Sequence, residues 1–172
     1  PGQPTVMAEL RSAFLWRHGA DGAVQDLQNA IEGWCVSTRE GDRAVPTIMP
    51  PNVSRIDLAV DMQGFEPSWQ QFCEGHFVTR TRVMTAHYKN AHVCEDHDDA
   101  EGALHFSGGR LQGLSFGRGD LQARIYNKTK EIARSGKQWM KAVWQACGWV
   151  DADVWRVEFQ MRGDALKNWL SE

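Results

Sequence analysis

Three segments of the chain alternate polar and apolar residues with the two-residue period of a β-strand: Ser54–Asp61, Leu121–Lys128 and Val154–Arg162. Alternate side chains of a strand share a face. In the first segment Arg55, Asp57 and Asp61 point one way and Ile56, Leu58 and Val60 the other. In the second, Gln122, Arg124, Tyr126 and Lys128 oppose Leu121, Ala123 and Ile125. In the third, Arg156, Glu158, Gln160 and Arg162 oppose Trp155, Val157, Phe159 and Met161. Strands of this kind in one sheet give an apolar core face. The other face then gathers three carboxylates, a phenol and several cations.

The rest of the chain supplies turns and helices. Asp21–Trp34 carries Val24, Leu27, Ala30 and Ile31 at helical spacing, with Asp21 placed to cap it. Met7–Arg17 suits a helix or a strand. The prolines between Ser37 and Asn52 predict a loop, and Glu66–Gly75 a short helix with Pro67 in its first turn. His76–Met84 alternates weakly, as a strand would, and the polar stretch 86–101 reads as a loop. Leu104–Phe106 and Gly113–Gly117 predict two short strands. In the second of these, Gly113, Ser115 and Gly117 leave room on one face for a ligand or another backbone. Lys130–Cys147 reads as an amphipathic helix ending at Gly148, weakened early by Gly136. Asp164–Leu170 reads as a closing helix with Asp164 as its cap. Tight turns between neighbouring strands, mixed with helices, predict an α+β fold. The expected architecture is a largely antiparallel twisted sheet with helices packed on one face and a polar catalytic face on the other.

Length and composition narrow the class. At 172 residues the chain reads as a single domain, residues 1–172, with a substantial core. Its start at Pro1 suggests a fragment of a longer protein. Hydrophobic content of 42% against 24% charged residues excludes an intrinsically disordered class. No apolar run reaches the roughly 20 residues needed to cross a membrane. Cys35, Cys73, Cys94 and Cys147 are irregularly spaced, which predicts reduced thiols and a cytoplasmic location. Net charge is −3, but the distribution is uneven. Lys128, Lys130, Arg134, Lys137 and Lys141 cluster against Glu131 alone, while Glu95, Asp96, Asp98, Asp99 and Glu101 form an acidic run. The basic cluster suits a nucleic-acid backbone. Eight tryptophans serve either core packing or base stacking.

Oxygen ligands from Asp and Glu suit Mg²⁺ or Mn²⁺ rather than Zn²⁺. Asp57 and Asp61 lie about 13 Å apart along a straight strand, so one ion cannot bridge them. Asp57 is the better ligand, and Asp61 suits orienting a neighbour. Glu158, between Arg156 and Arg162, needs a cation or metal if buried; Arg124 or Arg55 would serve as well. Tyr126 is either a strand tyrosine or a nucleophile. A phenol of ordinary pKa near about 10 needs adjacent cations such as Arg124 and Lys128, or a metal-bound phosphate, to attack at neutral pH. His87, His92, Cys94 and His97 match no zinc spacing. No Walker A loop, nucleophile elbow or dinucleotide fingerprint is present.

The order of these pieces resembles the replication initiation factor family of rolling-circle plasmids, filamentous phages and related conjugative relaxases. The resemblance rests on Arg55-Ile56-Asp57 with Asp61, on Leu114-Ser115-Phe116-Gly117, on Arg124-Ile125-Tyr126-Asn127-Lys128 with Glu131, and on Trp155-Arg156-Val157-Glu158. It extends over about residues 54 to 170, with Asn127 standing where an acidic residue is common. The resemblance implies a DNA nicking-closing enzyme that acts at a replication or transfer origin, on single-stranded or supercoiled DNA. It implies Tyr126 as nucleophile forming a 5′-phosphotyrosyl intermediate, and Mg²⁺ or Mn²⁺ on Asp57 and Glu158 with Asp61 as a further ligand. Arg124, Lys128 and Glu131 would assist catalysis, and Arg55, Lys130, Arg134, Lys137 and Lys141 would contact DNA. The alternatives are a non-catalytic nucleic-acid-binding sheet and a metal nuclease that uses water. Oligomeric state stays open, a homodimer included.

Overall fold

A computed structural model describes residues 6–37, 52–68, 70–71, 84–88, 102–149 and 153–171. Contacts divide the chain into two compact units, Pro1–Asn52 and Val53–Glu172. In the first, α1 (Ser12–Ser37) is one helical run interrupted at Gly19, whose φ of 70° is left-handed. The sequence places Gly where that break requires it. The segment Met7–Arg17, open between helix and strand on pattern alone, is thus helical from Ser12 onward.

The second unit is α+β. Its six-stranded sheet has the order β1-β6-β5-β4-β3-β2, formed by β1 (Arg55–Gln63), β2 (Met84–Tyr88), β3 (Gly102–Ser107), β4 (Arg110–Phe116), β5 (Leu121–Asn127) and β6 (Val154–Arg162). All neighbours are antiparallel except β2, which runs parallel to β3. Strand β2 begins where the expected strand ends and extends into the stretch expected to be a loop. The helices are α2 (Lys128–Ser135), α3 (Trp139–Ala146) and α4 (Gly163–Ser171). The expected helix Lys130–Cys147 is therefore two helices. Gly136, at φ 73°, ends α2, and its N–H donates to the carbonyl of Ile132. Gly148 lies one residue past the last turn, and Cys147 ends α3.

Cross-strand pairing arranges the polar face in rows. One row runs Asp61, Arg156, Tyr126, Gly113, His105 from β1 to β3. The next runs Ala59, Glu158, Arg124, Ser115, Ala103, and a third runs Asp57, Gln160, Gln122. All three strand segments predicted from alternation pair in this sheet.

Burial is distributed differently from the simple two-faced expectation. Val154 shares the strand face of Arg156, yet it is buried against Ile132, Met140 and Trp144. Helices α2 and α3 therefore cover one end of the polar face. On the opposite face the core lies toward β3 and β4, where Leu104, Leu111 and Leu114 are buried against Phe106, Phe116 and Ile125. Toward β1 the same face is half-exposed, with Val60 at 57%, Phe159 at 46% and Leu58 at 45%. Among the described residues no helix is long and apolar enough to cross a membrane.

Two turns show how local sequence fixes the ends of elements. Ser68 Oγ accepts from the Gln71 N–H at 3.2 Å, and Gln71 Oε1 accepts from the Ser68 N–H at 2.9 Å. This is a reciprocal capping box at the start of the expected 66–75 helix, most of which lies outside the described residues. Helix α4 is capped from another turn: Asp120 Oδ2 accepts the Asp164 N–H at 2.7 Å, and the Arg162 N–H donates to the Asp120 carbonyl at 2.9 Å. Asp164, the predicted cap, lies inside the helix and pairs with Lys167 at 3.1 Å. Gly163 has φ 51°, and a Cβ there would overlap the Asp120 carboxylate. Gly163→Ala and Asp120→Ala should each destabilise the fold, by about 0.5–2 kcal/mol for the lost cap. The double substitution should cost less than the sum, because both remove one contact. Urea unfolding of the four proteins checks this.

Candidate functional site

The site is built at the C-terminal end of β5, where the chain passes directly into α2. Asn127 ends the strand and caps the helix: its Oδ1 accepts the Lys130 N–H at 2.9 Å, and its Nδ2 donates to Asp153 Oδ2 at 2.8 Å. Thr129 Oγ1 accepts the Val154 N–H at 2.8 Å. These bonds tie the first turn of α2 to the start of β6. An acidic residue at 127 would still cap the helix but would face Asp153 with a like charge. This gives a physical reason for amide rather than acid at this position.

Tyr126, just before the cap, is half-buried on the polar face. Its hydroxyl donates to Glu158 Oε2 at 3.1 Å. Lys128 Nζ lies 3.4 Å from the Tyr126 hydroxyl oxygen and 5.3 Å from the ring centroid. The Lys128 side chain is only 3% exposed and pairs with Glu131 Oε2 at 2.5 Å. Lys137 approaches the other oxygen of Glu131 at 3.8 Å. Arg124 lies 3.9 Å from Glu158 Oε1. Thus Tyr126, Arg124, Lys128, Glu131 and Glu158 form one contiguous group.

The electrostatics of this group differ from the expectation of a cation-activated phenol. Burial, and then the Glu158 carboxylate, push the Tyr126 pKa well above its ordinary value. The carboxylate accepts a hydrogen bond from the neutral phenol and repels its anion, and together with burial this outweighs the opposing charge of Arg156. Burial holds Lys128 below its ordinary value, against the opposing pull of Glu131. The Glu131 carboxyl is held low: burial opposes its ionisation, but the Lys128 hydrogen bond and charge prevail.

The remaining carboxylates stand apart from this group. Asp57 is held by Arg55 at 2.7 and 2.5 Å, a contact that also lowers its pKa. Asp61 receives Arg156 at 2.6 and 2.9 Å and the Trp144 indole N–H at 3.0 Å. It anchors α3 to the sheet, the orienting role open to it from sequence. Each of the three predicted metal ligands therefore has a guanidinium partner. Among the described residues no three His, Cys, Asp or Glu side chains cluster as a metal site. The donor set fits Mg²⁺ or Mn²⁺ only in part. Glu158, whose arginine is 3.9 Å away, is the most open carboxylate, whereas Asp57 and Asp61 would have to leave close pairs.

A cleft of about 440 Å³ opens beside Tyr126, with Lys130 and Arg134 of α2 on its wall. Lys137 lies near Glu131, Lys141 is exposed on α3, and Arg55 sits on the edge strand β1 with Asp57. The five predicted DNA contacts are thus dispersed, with only Lys130 and Arg134 at the cleft. The sequence reading missed His105 and Gln112, which also line it. Strict alternation would put Gln112 on the opposite face from Gly113. A bulge in the β3–β4 pairing, where Leu111 faces Phe106 and Gly113 faces His105, gives β4 an extra residue there. Gly113 was legible as a small residue that leaves space. Of the His87, His92, Cys94 and His97 cluster, only the backbone of His87 falls within the described residues.

The chain has no match among protein-family models, curated proteins or solved structures.

Two measurements test this geometry. The folded state keeps Tyr126 protonated where an unfolded phenol ionises, near about pH 10. The unfolded chain then binds fewer protons, so this contribution to stability is present below about pH 10 and is lost as pH rises beyond it. Phenolate absorbance of the native protein should show a component that titrates above the ordinary tyrosine value and disappears in Tyr126→Phe. Asn127→Asp should lower stability by about 1–3 kcal/mol at neutral pH, since the donor to Asp153 becomes a like charge. The loss should shrink in acid as the carboxyls protonate, which denaturant unfolding at both pH values would show.

Proposed function

We propose that this domain is a DNA strand transferase in which Tyr126 attacks a phosphodiester and carries the 5′ end as a phosphotyrosine. The observation that carries the reading is the Tyr126 hydroxyl, hydrogen-bonded to Glu158 Oε2 at 3.1 Å with Lys128 Nζ at 3.4 Å. A nucleophile, a proton acceptor and a cation converge on one oxygen beside an open cleft.

The raised pKa argues against a phenolate formed in advance. In the proposed step the proton leaves during attack. Glu158 Oε2 takes it as Tyr126 Oη bonds to phosphorus, and the bond from phosphorus to the 3′ oxygen breaks. The departing 3′ oxygen takes a proton from solvent, leaving a 3′-OH. Religation is the reverse: the 3′ oxygen attacks phosphorus, and Tyr126 recovers its proton from Glu158. Arg124 of β5 and Lys128 at the start of α2 supply positive charge for the phosphoryl oxygens. A Mg²⁺ or Mn²⁺ ion held by Glu158 would supply Lewis-acid stabilisation of the same charge. The resemblance to rolling-circle replication initiators and relaxases supports a replication or transfer origin as the substrate.

The test is incubation of supercoiled and single-stranded origin DNA, with Mg²⁺, Mn²⁺ or chelator, followed by denaturation. Nicked DNA with protein-linked 5′ ends is the expected product. Tyr126→Phe should abolish the linked product while noncovalent binding persists. Nicks without linked ends would indicate a nuclease that uses water, and salt-sensitive binding without nicks would indicate a binding module. Adduct formation by Tyr126→Phe would refute the assignment of the nucleophile.

A further inference from the structure

The sheet ends at β1, and that edge lacks the devices that usually close one. Among the described residues β6 is the only strand that pairs with β1. The pairing runs unbroken from Arg55 to Gln63, so no bulge twists the edge away. The strand is nine residues long and contains no proline or lysine, whereas the opposite edge, β2, has five residues. A long, regular edge offers its outward N–H and C=O groups as a template for another strand. Its apolar side is also open. Leu58 and Val60 are half-exposed, as is Phe159, which faces Leu58 on β6.

Charge on the polar side decides which strand fits. Arg55, Asp57 and Asp61 lie along that side of β1. A second copy of β1 can pair antiparallel about a twofold axis normal to the sheet, which keeps each face continuous. The residue on the axis sets the register. An axis through Asp57 would oppose the two Asp57 carboxylates, and one through Ala59 would oppose Asp57 to Asp61 of the second copy. Both arrangements repel. An axis through Ile56 would match Arg55 to Asp57 but overlap the strands only over Arg55–Asp57. An axis through Leu58 overlaps them over Arg55–Asp61. It sets Arg55 against Asp61 of the second copy, and symmetry repeats the contact. It also sets Leu58 against Leu58 and Ile56 against Val60. Within each copy Asp57 already holds Arg55 and Asp61 holds Arg156. Each copy thus brings two guanidiniums and two carboxylates to the junction, and the charge there cancels.

We infer that β1 is a self-complementary interface, at which two copies of this chain join antiparallel about an axis through Leu58 and merge their six-stranded sheets into one. Main-chain hydrogen bonds of the new ladder supply the affinity, as in other strand additions. The pairing of Arg55 with Asp61 and of Ile56 with Val60 fixes the register. The inference does not depend on the chemistry proposed at Tyr126.

The experiment uses the 172-residue chain. Sedimentation equilibrium over a wide concentration range should show a monomer that converts to twice its mass. Val60→Lys, at an exposed position, should weaken association about tenfold or more, because it places two cations on the apolar side of the junction. Circular dichroism and urea unfolding of the dilute monomer should match the parent, which separates lost association from lost folding. The register is read by oxidation of single cysteine variants against the background of the parent's own thiols. Leu58→Cys, on the axis, should form a disulfide with itself. Val60→Cys should link to Ile56→Cys when the two are mixed, and not to itself, since the two copies of residue 60 are offset by about 13 Å along the strands. A monomer at every concentration would overturn the inference and leave the edge to a different occupant. A dimer that Val60→Lys leaves intact, or one in which Val60→Cys links to itself while Leu58→Cys does not, would put the interface or its register elsewhere and equally overturn it. The nicking assay can succeed or fail without changing any of these outcomes.

Discussion

The pairing of β5 with β6 is the constraint on which the rest of the second unit depends. It sets Arg124 against Glu158 and Tyr126 against Arg156. A slip of one residue would turn each of these side chains to the other face and bring Ile125 and Val157 into their place. The pairing is held at its end by bonds outside the sheet ladder. Asn127 reaches Asp153, and Thr129 takes the Val154 N–H. The strand and the first turn of α2 are thus fixed to the same point of β6. Tyr126 and Lys128 straddle that junction, which is why a strand residue and a helix residue meet at one oxygen.

Charge in this group is kept nearly balanced. Lys128 is almost fully enclosed and has Glu131 as its counter-ion, while Glu158 has Arg124 and the phenol. An unpaired charge there would carry a large desolvation cost, and each of these groups avoids it by sharing a neighbour. The same sharing keeps the phenol protonated. In the proposed reaction the proton would therefore have to move to Glu158 as the bond to phosphorus forms.

The sheet is asymmetric in a way that matters for the site. Helices α2 and α3 cover one end of the polar face, with Trp144 bonded to Asp61 and packed on Val154. The α2 part of that cover supplies the helical wall of the cleft beside Tyr126. The sheet's other face is well buried near Leu104 and Leu114 and half-exposed near Val60 and Leu58. Burial is therefore not a property of a strand's apolar side alone. It depends on what the neighbouring chain brings over it.

Alternation along Ser54–Asp61, Leu121–Lys128 and Val154–Arg162 was enough to specify three strands and the α+β class, except that Lys128, expected on the strand, opens α2 because Asn127 caps the helix there. Backbone geometry forces a two-residue period on any strand, so these features are local. Gly136 and Gly113 likewise announced a weak point in a helix and a space beside a strand. Partner choice was not local. That Asp61 would meet Arg156 and Trp144, or that Asp120 rather than Asp164 would cap α4, depends on strand order and turn placement, which bring together residues 95, 83 and 44 positions apart. The pKa of Tyr126 is of the same kind, because it depends on burial and on a carboxylate 32 residues away. Gln112 shows the sharpest limit: a single bulge in the β3–β4 pairing overrides the alternation from which its side would be read.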